Sequence, residues 1–313
     1  MPAGQAADCV AEAKPAEASA DAREMAVSFD AWQQALARRL AVSPSAEHLL
    51  LAAMLESDAT ARGALIARAT AGHADDPFLL WSAVQFCAGA GSCSDGALAQ
   101  RLAAVDGSNS ETWAYIASSR FAAGEHAAAL DAMRYAASAA QTRDYWTETI
   151  EMIERGLAAS TDLAFAERAG MALGLAAAHL PDYSGTVRMC REQSAASVEW
   201  AYTCLRYGQL VEAQGKTAMG SAIARVIQGF AYEALGEVER ARALAQQREA
   251  HKQAQLDAVK DHRPAVDRVL MSNPRFFYAY LDGVRAEGEA VALQRITTEI
   301  EQHIEQYPEL GCP

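Results

Sequence analysis

Apolar residues recur along the chain three and four positions apart, in groups separated by short polar breaks. The stretch Thr112–Ala139 (TWAYIASSRFAAGEHAAALDAMRYAASA) shows the spacing: Trp113, Ile116 and Ala117 share one face, Gly124 interrupts, and Ala129, Met133 and Ala136 resume it. Spacing of this kind predicts amphipathic helices. No run of alternating β-branched residues is long enough to predict a strand. The chain is therefore expected to be all-α.

The breaks carry the chemistry of helix ends. Ser43-Pro44, Asp58 and Asp76-Pro77 predict helix starts, because a side-chain oxygen caps the free N–H groups of a first turn and Pro tolerates its first positions. Ser94 and Ser110 are expected to cap in the same way, with DGSN at 106–109 as a turn. Further helices are predicted at about 143–158, 162–179, 183–192, 197–214, 217–235, 237–262, 274–286 and 289–306, broken at Ser160, Pro181, Ser194, Gly215, Gly236, Pro264, SNP at 272–274 and Gly288. The connections are short, so consecutive helices should run antiparallel.

Composition strengthens this reading. Alanine, the best helix former, makes up close to a quarter of the 313 residues, and there are nine prolines. The formal net charge of −13 argues against general binding to nucleic acid or anionic membranes. No apolar stretch is long enough to predict a transmembrane helix. The opening MPAGQAADCVAEAKPAEASADA lacks the basic and apolar regions of a signal peptide and reads as a mobile leader. The expectation is a cytosolic chain or a numbering that begins after a removed signal.

Internal repetition then narrows the architecture. In Thr112–Ala139 a Trp is followed by large and small apolar residues, a turn glycine, and small residues facing large ones; this resembles the tetratricopeptide repeat. Trp81 lies 32 residues before Trp113, near the repeat length of about 34. A third likeness places Gly229, Tyr232, Gly236 and Ala241 at small, aromatic, turn and small positions. Arg120 and Gln141 depart from the family's aromatic and proline. The resemblance covers about 77–140 and 222–248; elsewhere irregular globular all-α packing is the alternative.

The resemblance implies stacked antiparallel helical hairpins, an α-solenoid with helical caps at both ends. The expected divisions are a mobile leader at 1–22, capping helices at 23–75, a repeat array at 76–262 and capping helices at 263–313. It also implies that a protein or peptide partner binds along the concave face of each hairpin's first helix. Carried over residue by residue, that face comprises Ser82 and Phe86; Ala114, Ser118 and Phe121; and Val226, Phe230 and Glu233. Lys and Arg are absent from these positions, so the family's basic carboxylate clamp is missing.

Candidate chemistry is sparse. GKT at 215–217 resembles the end of a phosphate-binding loop, but position 210 is Leu where the motif needs Gly, and a helix precedes it. GAGSCSDG at 89–96 has the wrong spacing and reads as a turn. His73, Asp75 and Asp76 form the densest ligand cluster, at a place where a helix cap is needed. No metal site, cofactor site or catalytic nucleophile motif is expected. RFFYAYL at 275–281 is expected to enter the core. The first functional expectation is a non-catalytic scaffold; an enzyme with a site assembled only in the fold, and a toxin-neutralising partner protein, are the alternatives.

The cysteines bear on compartment. Cys87 and Cys93 flank one turn, and Cys190 and Cys204 flank another between helices expected to be antiparallel, so two disulfides are predicted, Cys87–Cys93 and Cys190–Cys204. Their formation implies an oxidising, extracytoplasmic compartment such as a periplasm; six reduced, buried thiols in the cytoplasm are the alternative. Cys9 and Cys312 are left unassigned.

Overall fold

The computed structural model describes residues 21–73, 75–87, 95–179, 183–260 and 264–306. These are all-helical, with a lone bridge between Asn109 and Gln141 in place of any strand. In chain order the helices are α1 (Asp21–Ala41), α2 (Ala46–Leu55), α3 (Ala59–Thr70), α4 (Pro77–Cys87), α5 (Asp95–Val105), α6 (Ser110–Ala122), α7 (His126–Ser138) and α8 (Trp146–Ser160). They continue as α9 (Phe165–Ala178), α10 (Tyr183–Ala196), α11 (Val198–Gln214), α12 (Ala218–Ala234), α13 (Val238–Lys260), α14 (Pro264–Ser272), α15 (Pro274–Glu287) and α16 (Glu289–Gln306). The helix α14 is unanticipated: the sequence reading left its residues between two breaks.

Several starts follow the expected cap chemistry. Asp58 Oδ1 accepts from Ala61 N at 2.7 Å, and Asp76 Oδ1 accepts from Leu79 N at 3.0 Å. Two caps are shifted by a residue or two. Ser45, not Ser43, caps α2, because the Ser43 hydroxyl turns back to accept from Ser45 N. Asn109, not Ser110, caps α6, because the Ser110 hydroxyl pairs with Thr142 across to the next turn. The expected cap at Ser94 lies outside the described residues. Gly124, Gly236 and Gly288 have φ of 79°, 75° and 92°, a left-handed backbone that suits glycine at these helix ends.

The hairpin α6–α7 packs as its sequence pattern requires. Ile116, Ala117, Ala129, Met133 and Ala136 are all buried, and Trp113 stacks on Tyr135 with ring centroids 4.7 Å apart. In α12–α13, Tyr232 and Ala241 enter a small core with Leu205 and Ala231. Gly229, however, faces no neighbour within 4 Å, so the small residue there is not required by packing.

Stacking does not follow chain order throughout. The helix α7 packs against α6 and α11, whereas α8 packs against α9, α2, α1 and α15. Two main cores result. The first joins Leu36, Leu50, Leu80, Ile150, Ile153, Phe277 and Leu281, so helices from both ends of the chain share it. Helices α1 and α15, expected in opposite caps of an array, both contribute to this core, with α8 packed against each. The physical reason is the apolar face of α8: Gly156 lets it press against Leu51, and Ile150, Ile153 and Leu157 are fully buried. The second core joins α6, α7, α10, α11 and α12 through Ala117, Met133, Cys190, Trp200, Tyr207 and Ile227. Phe276 and Phe277 of RFFYAYL are buried, as expected for a core segment.

Candidate functional site

Three inter-helix turns converge beside the junction of the two cores. The first connects α7 to α8. It is sewn onto the turn before α6 by Ser110 N donating to Gln141 O at 2.8 Å and Gln141 N donating to Ser108 O at 3.1 Å. Asn109, with no exposed surface, holds both turns: its Nδ2 donates to Asp106 Oδ2 and to Arg143 O, and its Oδ1 accepts from Glu111 N and Arg143 N. Thr112 Oγ1 adds a bond to Asp106 at 3.0 Å.

This anchoring sets up a strained residue. Tyr145 has φ 56°, a left-handed conformation that costs a non-glycine residue roughly 1–2 kcal/mol. Its ring lies 6.0 Å from Phe78 and 5.9 Å from Trp81 in the first core, with the Arg143 guanidinium 4.5 Å from its centroid. The conformation lets Tyr145 point into the core while Arg143 and Asp144 stay at the junction.

The second and third turns close around the first. Thr217 Oγ1, which also caps α12, donates to Asp144 Oδ2 at 2.7 Å. Glu289, at the start of α16, donates its N–H to Lys216 O and accepts from Ala218 N, each at 2.7 Å. Lys216 Nζ donates to Ala286 O at 2.9 Å. GKT is thus a helix end, a strut and a helix cap, following a helix as expected.

Between the turns lies a cavity of about 460 Å³, lined by Gln141–Glu148, Ala213, Gln214, Lys216, Val284 and Arg285. Its two arginines are paired with acids, whereas Lys216 bonds a backbone carbonyl and Asp144 a hydroxyl. Arg143 bonds Glu148, and Arg285 meets Glu148, Glu151 and Asp282. A ligand there meets amide, hydroxyl and indole groups beside these charges.

Two carboxyls at the junction are held above their ordinary range. Asp144 is held above the usual carboxylate range by burial, against the opposing effects of the Thr217 hydroxyl and the Trp146 N–H. Glu111, 4% exposed, is pushed up to about 8 by burial and then by the nearby Asp144, although the Tyr207 hydroxyl donates to its Oε1 at 3.0 Å. Sequence reasoning missed this cluster. Its members lie in separate turns and helices, and DGSN carried only a turn signal.

The residues expected to line a concave groove differ in exposure. Ser82, Phe86 and Ala114 are buried, and Ser118 abuts α10, where a Cβ on Gly185 would lie 2.2 Å from its Oγ. The helix α10 packs on α6 beside Ser118. Phe121 is half-buried and meets His126 edge-on at 5.3 Å. Val226 and Phe230 are half-buried and Glu233 exposed, so the α12 positions remain accessible.

Ser82, His179 and Asp144 do line one narrow cleft, with Phe86 edge-on to His179 at 5.9 Å. They form no nucleophile–base pair. Ser82 Oγ makes no hydrogen bond within the protein, and His179 Nδ1 is bonded to Leu175 O at 2.9 Å. Among the described residues no group of His, Cys, Asp and Glu has the arrangement of a metal site, and no helix is long and apolar enough to cross a membrane.

Cys190 and Cys204 form a disulfide with Cα atoms 5.8 Å apart, joining α10 to α11. Cys93 lies outside the described residues, and with it the expected Cys87–Cys93 bridge. Comparison of the chain with protein-family models, curated proteins and solved structures returns no match.

Proposed function

We propose that the protein is a non-catalytic helical scaffold, built from tetratricopeptide-like hairpins, that holds a segment of a partner polypeptide. The observation that carries this reading is the cavity among the three turns. Its volume of about 460 Å³ is within the range of ligand-binding clefts. Its amide and hydroxyl groups suit a peptide backbone, and Trp146 and Val284 suit an apolar side chain. The solenoid reading draws support from the α6–α7 and α12–α13 hairpins, with α8 and α9 as an interruption. The Cys190–Cys204 bridge supports residence in an oxidising compartment, such as a periplasm.

Affinity capture from the native source, followed by binding assays on the captured partner, tests this. Gln214→Trp places an indole in the cavity and is expected to abolish partner binding. Phe121→Glu with Phe230→Glu alters the hairpin faces and is expected to leave it intact. Binding that survives Gln214→Trp overturns the cavity as the site; loss only in the double Phe variant returns the site to the hairpin face.

A further inference from the structure

We propose that Glu111 is a proton-operated lock on the junction between the two cores. Protonated, it lets α6 and α11 close under the α7–α8 turn; ionised, it loosens that junction and the cavity wall built on the turn.

The geometry explains why the charged form is unwelcome. Glu111 sits in the first turn of α6, and its carboxyl is sealed from solvent with Tyr207 of α11 as its hydrogen-bond donor. The titratable neighbours that act on it are Asp144, from the α7–α8 turn, and Tyr207. Tyr183, at the start of α10, also feels the charges of Glu111, Asp144 and Tyr207, and its phenol is held well above its ordinary range.

Among the described residues no cation of α5, α6, α7, α10 or α11 is directed at Glu111; Arg206 of α11 is exposed. From α5, Arg101 donates to Thr70 O, and Asp106, just past the helix, is bonded to Asn109 and Thr112. From α7, Arg134 pairs with Asp131 and Glu199 at the surface. From α10, Arg188, Arg191 and Glu192 are exposed. Within α6, Arg120 donates to Ala128 O. Arg143 gives its guanidinium to Glu148 and only its backbone to Asn109. Among the described residues a proton is therefore the counter-charge left to Glu111, and on ionisation it leaves to solvent.

The sign follows from linkage. A carboxyl raised from 4.5 to about 8 holds its proton in the folded state while the unfolded state has lost it. The stabilisation is full below the unfolded value and is lost as pH rises through the folded one.

Hydrogen exchange of α6 and α11 amides, corrected for intrinsic exchange, tests this without any partner. Opening should rise up to about tenfold per pH unit between 4.5 and about 8 and level off above. Infrared spectra at about pH 6 should show a protonated-carboxyl band that Glu111→Gln removes and about pH 9 abolishes. Glu111→Gln should flatten the exchange profile and keep the junction closed in alkali. Asp144→Asn, which keeps Glu111 and removes its negative neighbour, should move the midpoint to lower pH. A Glu111→Gln profile identical to wild type overturns the lock. If that variant does not fold, an unmoved midpoint in Asp144→Asn, or a wild type without the band, overturns it equally.

Discussion

Gly208 and Gly229 occupy the interiors of neighbouring helices but meet different surroundings. A Cβ on Gly208 would stand 2.7 Å from Gln228 Cγ and 2.9 Å from Ala224 O, so α11 and α12 approach there at a distance only glycine permits. A Cβ on Gly229 would meet nothing within 4 Å. Gly208→Ala is expected to destabilise by about 1–3 kcal/mol, because overpacking against backbone outweighs the gain in helix propensity. Gly229→Ala should stabilise by roughly 0.5–1 kcal/mol, because Ala restricts the unfolded chain at no steric cost. Urea melts of the two variants check this; equal shifts would mean that α11 and α12 are not in close contact. The repeat pattern put the small packing position at Gly229, whereas the close approach is at Gly208. Only the neighbour that each one faces separates them.

At the scale of elements, α10 and α11 are joined by the Cys190–Cys204 bridge across 14 residues. Both cysteines are fully buried in the second core. A bridge closing a loop of this length contributes about 3 kcal/mol by restricting the unfolded chain. Cys190→Ser with Cys204→Ser should therefore lower stability by roughly 2–4 kcal/mol, with two hydroxyls left in an apolar core adding to the loss. Thermal melts of the double variant, compared with the reduced and oxidised wild type, measure it; an unchanged melting temperature would mean that the bridge does not form. This pairing was legible in the sequence because both cysteines flank one short turn, and local geometry limits where their sulfurs can go. The contact at Ser118 was not legible. Ser118 lies on the face that a regular repeat leaves open, and α10, more than sixty residues further on, packs on α6 beside it.

At the scale of the whole molecule, the first core ties α1 and α2 to α15. Phe277, 1% exposed, packs in the same cluster as Leu36 and Leu50. Phe277→Ala is expected to cost about 3–5 kcal/mol by opening a cavity in that core. The loss should spread: amides of α2 and α8 should lose hydrogen-exchange protection together with those of α15. In a linear array the damage would stay with the C-terminal helices, so unaltered protection of α2 would contradict a shared core.

The sequence by itself determined the helices and most of their limits, because 3.6-residue periodicity, capping side chains and turn glycines act within a few residues of each other. It also determined the α6–α7 hairpin, where a short turn brings complementary small and large residues face to face. Only the tertiary structure decided that α8 leaves the order of the hairpins to pack on α2. Apolar faces carry no address, and α8 found its partner by the fit of Gly156 to Leu51. The same long-range choice brought Asn109, Glu111, Asp144, Tyr207 and Thr217 together. Burial and neighbouring charge, which define that junction, exist only once those distant turns and helices have met.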